Sequence, residues 1–406
     1  MHTLNGAKDS IVFHIDVNSA FLSWEAVNRA KKGMEPDLRT IPSAIGGDMA
    51  KRHGVILAKS IPAKQYNVRT GESIMEARKK CPNLLIISPN HKLYKEYSNA
   101  FMDILREYTP DVEQFSIDEA FMDMTGTQLL FGEPIAAANQ IKDRIKKELG
   151  FTVNVGISSN KLLAKMASDF QKPDLVHTLF PDEIRTKMWG LPVSDLFFVG
   201  RVTTKKLLTM GIHTIGDLAQ TDVELLKLHF KRQGEVIWNF ANGIDFSVVQ
   251  SEPTPNKGYG NSTTVSFDVT DLETAKMVLL TLAENVAGRL RKDGVKIETV
   301  SVGIKDTNFK SSSHQKVLES PTNITAEIYQ IACVLFEELW DGTPIRLLGI
   351  QTSKIREMDA GRQLSMFDTT NYEKLEKLDA AVDKIRGKFG DEVVKRASFL
   401  GNVKKK

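Results

Sequence analysis

Residues 115–124 read FSIDEAFMDM, and residues 11–17 read IVFHIDV. Both stretches are short and apolar, which predicts buried strands, yet they carry acids: Asp118 and Glu119 in the first and Asp16 in the second. Buried carboxylates without partners cost several kcal/mol, so these acids need cations. Because neighbouring side chains of a strand point to opposite faces, Asp118 and Glu119 share one ligand only at the bend of a hairpin. The surrounding sequence reads as strand, turn and strand, which puts the pair near such a bend.

The three acids predict a metal site if the strand that ends near Asp16 lies beside this hairpin. Hard oxygen ligands in that number suit one or two Mg²⁺ ions. Two such ions activate an attacking hydroxyl and stabilise a leaving pyrophosphate in an in-line displacement. The alternative, surface acids paired with lysines, explains a single acid better than three in apolar surroundings. We interpret His14, two residues before Asp16, as a packed core histidine, because hard oxygen sites do not use it.

Composition limits the class of protein. The chain has 406 residues, of which 41% are hydrophobic, so it can build cores for roughly two to four domains. Its 54 basic and 51 acidic residues are too balanced to indicate a nucleic-acid partner by themselves. Two cysteines are too few for a disulfide framework and fit a reduced compartment, so we expect a cytoplasmic protein. No signal peptide or long apolar run is visible, so we expect no membrane partner.

The pattern of elements changes along the chain. Strands and helices alternate through the first 180 residues, and helical patterns alone follow up to about residue 250. Residues 251–258, SEPTPNKG, are typical of a linker. The order β-α-β-β-α-β in residues 259–356 predicts a small ferredoxin-like unit. A charged tail with a helix predicted over residues 372–388 completes the sequence.

Residues 191–219 predict a helix-hairpin-helix, with a short helix, a turn that contains glycine and a second helix. Such a turn offers backbone N–H groups and a helix N-terminus to an anion, here a DNA phosphate. An ordinary αα-hairpin is the alternative interpretation.

Three stretches carry a resemblance to a known family: HIDVNSAFLSWE (14–25), FSIDEAFMDM (115–124) and VGISSNKLLAKMASDFQKPD (155–174). They resemble the palm motifs of Y-family (translesion) DNA polymerases of the DinB/UmuC type, and the likeness extends over about residues 10–356. It implies an α+β multidomain right-hand fold with a palm, small fingers, a helical thumb that holds the helix-hairpin-helix, and a ferredoxin-like little finger. The implied bounds are 1–19 and 88–180 for the palm, 20–87 for the fingers, 181–250 for the thumb, 251–258 for the linker, 259–356 for the little finger and 357–406 for the tail.

The resemblance also implies how the acids act. Asp16, Asp118 and Glu119 would be the catalytic, metal-binding acids for two Mg²⁺ ions per active site. The backbone carbonyl of Val17 would contribute to the ion that accompanies the nucleotide.

Nucleotide binding is implied for three side chains. Phe21 matches the steric gate, a ring under the incoming sugar that clashes with a ribose 2′-OH, although it could also merely pack the start of a helix. Lys172 matches the lysine that contacts the triphosphate. In the fingers, Lys64 stands where the family has an arginine and Ile61 where it has a tyrosine. Lysine neutralises charge without the bidentate fork of arginine, so we keep Lys64 in the site and leave Ile61 out.

The thumb turn also departs from the family. Phe198 occupies the position at which the family has the first glycine of the turn. Gly200 is retained, and the resemblance implies DNA contacts at Gly200, Lys205 and Lys206.

The tail contains RQLSMFD at residues 362–368. It resembles the peptide that binds the bacterial sliding clamp, with Gln363, Leu364, Met366 and Phe367 as the contact residues. Exposed, this mixed apolar segment would cost hydration unless it entered a partner's pocket. An anchor onto the protein's own surface is the alternative.

The expected function is template-directed addition of deoxynucleoside triphosphates to a primer 3′ end on primer-template DNA, with low fidelity and past damaged bases. We expect a monomer that acts in DNA repair and damage tolerance. A catalytically silent DNA- and clamp-binding factor of the same fold is the alternative, although the intact acids and Lys172 argue against it. A nucleotidyl cyclase, suggested by Gly46-Gly47-Asp48, is disfavoured because this triplet precedes the acids in the wrong context. The sequence leaves the lesion spectrum, accessory subunits and the DinB or UmuC subgroup open.

Overall fold

The computed structural model describes residues 10–48, 54–362, 371–390 and 393–394. The chain forms two compact units, and the boundary between them falls between Pro253 and Thr254. Across the described ranges, no helix is long and apolar enough to cross a lipid bilayer.

The strands of the described residues are, in chain order, β1 (Val12–Val17), β2 (Ser43–Gly46), β3 (Ile56–Lys59), β4 (Leu85–Ile87), β5 (Val112–Gln114), β6 (Glu119–Asp123), β7 (Val153–Ser158), β8 (Val176–Thr178), β9 (Gly258–Val269), β10 (Val295–Asp306), β11 (Ser311–Thr322) and β12 (Ile345–Glu357). The helices are α1 (Ala20–Lys31), α2 (Ile61–Gln65), α3 (Ile74–Lys80), α4 (His91–Arg106), α5 (Gln128–Phe131), α6 (Pro134–Leu149), α7 (Lys161–Ser168), α8 (Ile184–Lys187), α9 (Arg201–Thr209), α10 (Ile215–Gln220), α11 (Val223–Phe230), α12 (Arg232–Ala241), α13 (Leu272–Lys292), α14 (Thr325–Leu339) and α15 (Tyr372–Phe389).

A five-stranded sheet in the order β5-β6-β1-β7-β8 is the centre of the first unit. Strand β1 pairs antiparallel with both β6 and β7, and the register sets Asp16 opposite Glu119. The predicted strand, turn and strand around the acids is confirmed, because β5 ends at Gln114 and β6 begins at Glu119. The turn between them carries Asp118.

Alternation along β1 separates the core from the acids. Phe13 and Ile15 point into the main core, which α1, α4 and α6 cover with side chains such as Trp24. His14 and Asp16 point to the opposite face, where α7 packs on β1 and β7. Asp16, and Glu119 opposite it on β6, therefore lie on the α7 side of the sheet, away from the main core.

Helix α7 lies very close to the sheet because β7 carries Gly156. A Cβ at this position would lie 2.0 Å from the Ala164 carbonyl oxygen and 2.4 Å from the Ser168 nitrogen. Any larger residue at position 156 would push α7 outward, because the atoms it would collide with belong to the helix backbone and cannot move aside as a flexible side chain can. Asn160 fixes the start of α7, where its side chain accepts a hydrogen bond from the Leu163 N–H at 2.9 Å. This packing sets the height of the α7 side chains above the acids.

Two further cores of the first unit support its smaller sheet and its helical part. The three-stranded sheet β3-β2-β4 packs with α2 and α3 around Ile56 and Ile74. Helices α9 to α12 pack around Leu207, Ile215 and Leu226.

The second unit contains the four-stranded antiparallel sheet β11-β10-β12-β9, with α13 and α14 packed against it. The predicted element order β-α-β-β-α-β is confirmed, but the sheet differs from a ferredoxin-like one, because the fourth strand, β12, and not the third lies between β9 and β10.

The predicted helix in the tail is confirmed as α15, and it docks within the second unit through buried charges. Asp379 is 5% exposed and accepts hydrogen bonds from the Thr325 backbone N–H at 2.8 Å and from the Arg291 guanidinium at 3.1 Å. Asp383 accepts two further bonds from Arg291, at 2.6 and 2.9 Å. Arg386 contacts Glu284 at 3.1 Å. The tail helix thus caps the start of α14 and neutralises Arg291 of α13.

Candidate active site

The turn between β5 and β6 brings the three acids to the end of β1. The N–H groups of Phe115 and Ser116 both donate to the Glu119 carbonyl oxygen at 3.1 Å. The Val17 N–H donates to the Asp118 carbonyl oxygen at 2.9 Å, which ties the turn to β1. The acids predicted from sequence, together with Val17, therefore lie on adjoining backbone segments.

Asp118 lies in surroundings that disfavour its charge. Burial raises the pKa of this carboxyl, the nearby charges of Asp16 and Glu119 raise it further, and a hydrogen bond from Ser116 Oγ at 2.6 Å opposes them only in part. An added cation would relieve this excess of negative charge.

Glu119 lies in the opposite situation. Burial works to raise the pKa of its carboxyl, but hydrogen bonds from His14 and Lys165 lower that pKa to about 2. Both contacts fall on one oxygen: His14 Nε2 lies 3.1 Å and Lys165 Nζ 2.8 Å from Oε2. His14 and Lys165 thus both contact Oε2 of the Glu119 carboxylate.

His14 is fully buried, as predicted for a core histidine, but it also contacts Glu119. Its Nδ1 lies 2.8 Å from Ser168 Oγ on α7. Burial lowers the pKa of the ring, and the Glu119 carboxylate opposes that shift in part. The sequence argument missed this contact because it judged His14 only as a possible metal ligand.

Two lysines from α7 and the segment after it approach the acids. Lys165 Nζ lies 3.3 Å from Asp169 and 4.0 Å from Asp16. Lys172 Nζ contacts Asp16 directly and lies 2.8 Å from Asp169. Burial works to lower the pKa of both ammonium groups, but the nearby carboxylates outweigh it and raise the pKa. Sequence reasoning found Lys172 but missed Lys165 and Asp169, although a lysine within the apolar run KLLAKMA is the same kind of signal as the buried acids.

The donor set suits a hard divalent cation. It consists of three carboxylates and a backbone carbonyl, all oxygen ligands, and the crowded charge at Asp118 favours a bound cation. Among the described residues, no group of three or more His, Cys, Asp or Glu side chains is arranged as a ready metal site. Instead, Lys165 and Lys172 hold the acids Asp16 and Glu119.

A cavity of about 480 Å³ opens beside the acids. Asp16, Asp118 and Lys172 line one part of it, and the fingers segment lines another. Lys64 lies in this lining, as expected, and so does Ile61, which the sequence argument left out. Further lining residues that sequence reasoning missed are Arg39, Lys59, Ser60 and Thr70.

Phe21 also lines this cavity, from the first turn of α1. Its ring stacks on Tyr94, with centroids 4.6 Å apart and planes 13° apart, and meets His91 edge to face at 6.1 Å. Tyr94 is fully buried, so Phe21 rests on a rigid base. It therefore packs the start of the helix and faces the cavity at the same time.

The thumb residues differ in their surroundings. Gly200 is the N-cap of α9, and Lys205 is exposed on that helix. Lys206 instead donates to the His229 carbonyl oxygen and lies 4.9 Å from the centre of the Phe230 ring. Phe198 has φ 68°, so it keeps the left-handed conformation that a turn glycine adopts without strain. Gln363, Leu364, Met366 and Phe367 lie outside the described residues.

Known proteins are similar to this chain over most of its length. The impB/mucB/samB family matches residues 15–169, its C-terminal domain matches residues 256–366, and the DNA polymerase-iota thumb domain matches residues 194–245. A DNA polymerase IV of Clostridium acetobutylicum is 47% identical over 395 residues, which are 97% of this chain and 99% of the relative. The chain belongs to the Y family of DNA polymerases.

Other members of the Y family are similar over nearly the whole chain. DNA polymerase IV 2 of Bacillus subtilis is 38% identical over 402 residues, 97% of this chain and 95% of the relative. A solved Y-family DNA polymerase chimera matches with a TM-score of 0.74 at 20% sequence identity. The match covers 85% of this chain and 99% of the chimera's chain. This likeness confirms the predicted right-hand fold class of the Y-family polymerase, including its helix-hairpin-helix thumb.

The opposite pKa shifts of Asp118 and Glu119 predict opposite effects on the stability of the metal-free polymerase. The folded pKa of Glu119 lies below its ordinary 4.5, so its contribution is present above that pH and is lost as the pH falls towards about 2. The folded pKa of Asp118 lies above its ordinary 3.8, so stability is lost as the pH rises from 3.8 to that folded value, and the loss is complete above it.

At neutral pH in a chelator, we therefore expect Glu119→Gln to melt about 2–4 °C below the wild type and Asp118→Asn to melt about as far above it. Both differences should shrink as the pH falls below 4. Thermal denaturation followed by circular dichroism between pH 3 and 8 measures them. Shifts of the same sign for both variants at neutral pH would contradict this account of the site.

Proposed function

We propose that this Y-family polymerase extends the 3′ end of a primer on a template strand, with low fidelity, and continues past damaged bases. As a member of the family it is a metal-dependent DNA-directed DNA polymerase that uses deoxynucleoside triphosphates. The observation that carries the proposal is the meeting of Asp16, Asp118 and Glu119 beside a cavity that Phe21 lines.

Two Mg²⁺ ions are the cofactors that we propose, and Asp16, Asp118, Glu119 and the Val17 carbonyl would hold them. When bound, such ions activate the attacking primer hydroxyl and stabilise the leaving pyrophosphate.

The lysines have different parts in this proposal. The Lys172 side chain is 36% exposed and lines the cavity, so its ammonium can reach the phosphates of a bound nucleotide. The Lys165 side chain is only 11% exposed and stays between Glu119 and Asp169. Lys64 is exposed and also lines the cavity, where it adds a second positive charge. Two ammonium groups in one cavity would help to fix the triphosphate in line with the primer end.

Phe21 would select the sugar of the nucleotide. Its ring cannot retreat, because fully buried Tyr94 lies behind it. A ribose 2′-OH over the ring would lose its hydrogen bonds to water and collide with the ring. Deoxyribose avoids both costs.

The thumb would hold the DNA backbone behind the active site. The N-terminus of α9 at Gly200 and the exposed Lys205 suit phosphate groups. Lys206, which is also exposed on α9, would join them, although its ammonium here contacts the His229 carbonyl oxygen and the Phe230 ring.

We expect Asp118→Ala to reduce nucleotide incorporation by about 10³-fold or more, because metal coordination is lost, while primer-template affinity stays within about threefold. Primer extension with Mg²⁺ on an undamaged template and on one with an abasic site measures the first effect, and fluorescence anisotropy measures the second. Asp103→Ala, an acid exposed on α4, is the matched control and should extend normally.

The outcomes separate the two candidate functions. Near-normal incorporation by Asp118→Ala would refute the assigned site. Intact DNA binding without extension by the wild type would favour the silent DNA- and clamp-binding factor.

We expect Phe21→Ala to raise the use of ribonucleotides relative to deoxynucleotides by about 100-fold, because the ring no longer blocks the 2′-OH. Single-nucleotide insertion kinetics with a matched pair of triphosphates measure the ratio. Phe21→Tyr keeps the ring and should keep the selectivity of the wild type. If Phe21→Ala discriminates as well as the wild type does, the gate lies elsewhere.

We also propose that the bacterial sliding clamp is a partner, through Gln363, Leu364, Met366 and Phe367. The support is the sequence pattern and its place just after β12, which ends at Glu357.

Replacing Gln363, Met366 and Phe367 together by alanine should abolish clamp binding, because the apolar anchors and the polar contact are lost. Isothermal titration calorimetry with purified sliding clamp measures the affinity. Ser365→Ala, at the variable position of the same peptide, should bind as the wild type does. Distributive primer extension should not change in either variant, and unchanged clamp affinity in the triple variant would contradict the proposal.

A further inference from the structure

A row of aromatic rings connects the catalytic turn with the turn of the thumb hairpin. Buried Phe121 of β6 meets Phe115 edge to face at 5.5 Å. Phe115 lies 6.1 Å from Phe197, and Phe197 meets Phe198 edge to face at 4.5 Å. We call Phe115, Phe197 and Phe198 the aromatic ledge.

The two ends of the aromatic ledge are open to solvent. Phe115 is 44% exposed and Phe198 is 59% exposed, whereas Phe197 packs against the thumb core. Neighbouring exposed rings form an apolar patch that costs hydration, and such patches mark binding surfaces more often than isolated exposed side chains do.

Backbone strain at Phe198 gives an independent sign of function. Its φ of 68° lies in the left-handed region, which is unfavourable for a bulky side chain and free of cost for glycine. The ring contacts Phe197 and Phe240, at 4.5 and 5.9 Å, yet most of it stays exposed. Packing within the protein therefore does not explain why an aromatic residue occupies this turn, and strained residues of this kind cluster at functional sites.

The position of the aromatic ledge indicates what covers it. At one end, the Phe115 N–H donates to the backbone carbonyl oxygen of Glu119, so Phe115 belongs to the turn that carries Asp118. At the other end, Phe198 lies two residues before Gly200, where α9 begins. Because the ring contacts connect these two turns, a DNA strand with its 3′ hydroxyl at the acids and a phosphate at the start of α9 would pass along the aromatic ledge.

We propose that the aromatic ledge packs against the deoxyribose groups of the primer strand and holds that strand between the acids and the thumb hairpin. The rings are apolar and match the apolar faces of the sugars, while the flanking Gly200 turn and Lys205 match the phosphates. The residues of the aromatic ledge are positioning residues, since they touch no reacting atom. This inference rests on the proposed DNA-polymerase function.

The decisive variant is Phe198→Gly, which removes the ring and the backbone strain together. We expect the dissociation constant for primer-template DNA to rise about five- to tenfold, as fits the loss of a side chain of which only the exposed part, 59%, becomes buried on DNA. The melting temperature should stay equal or rise, because glycine adopts this φ without cost. Phe198→Trp keeps an aromatic ring and should bind as tightly as the wild type.

Dependence on salt distinguishes sugar packing from phosphate contact. For Phe198→Gly and for Phe115→Leu, the factor by which binding weakens should be the same at every salt concentration, because packing on sugars releases no counterion. Lys205→Ala, by contrast, should reduce the slope of log affinity against log salt by about one. Fluorescence anisotropy with primer-template DNA from 50 to 300 mM NaCl measures both quantities. Template strand alone should show no difference between Phe198→Gly and the wild type.

Leu129→Ala is the matched control. Leu129 is fully exposed on α5, which follows the end of β6 away from the acids, and its loss should leave affinity unchanged. Unchanged primer-template affinity in Phe198→Gly would overturn the proposal. A lower melting temperature without a change in affinity would do so as well and would indicate that the rings pack against protein. If the wild type binds no primer-template DNA, the proposed function itself fails.

Discussion

Asp16 and Glu119 occupy directly opposed positions on β1 and β6, and like charges in such positions destabilise a sheet. The rest of the site is organised around this repulsion. Helix α7 supplies Lys165 from above, and the segment after α7 supplies Lys172. Neither lysine could reach the acids if the helix did not lie close to the sheet, which is why the close approach at Gly156 matters for chemistry as well as for packing.

The same repulsion has a use in a metal-dependent polymerase. Acids that were fully neutralised by protein cations would not attract an ion, and acids without any cation would weaken the fold. Glu119 carries both of its protein contacts on one oxygen, and Asp118 remains in surroundings that disfavour its charge. The protein thus stabilises part of the acid cluster, and the proposed ion would neutralise another part.

Much of this arrangement could be predicted from sequence because it follows from local patterns. Acids inside apolar strands indicate a site wherever they occur, and the apolar spacing of residues 372–388 indicates a helix whatever it packs against. The contact between Lys165 and Glu119 joins residues 46 positions apart, which periodicity does not detect. The sequence did not predict the aromatic ledge for the same reason, since Phe115 and Phe198 are far apart in sequence and lie in different parts of the fold. The sequence shows that Phe198 replaces a glycine of the family pattern. Only its φ angle shows that the backbone there keeps the left-handed conformation typical of glycine.

Helix α15 changes how the tail of this polymerase should be regarded. Arg291 belongs to α13, yet its charge is balanced by Asp379 and Asp383 of α15. A chain cut after the family match at residue 366 would keep every element of the β-α-β-β-α-β unit and still leave that guanidinium without its carboxylates. A premature stop codon in this stretch of the gene would therefore do more than remove the tail, because it would also destabilise the sheet and helices that precede the tail.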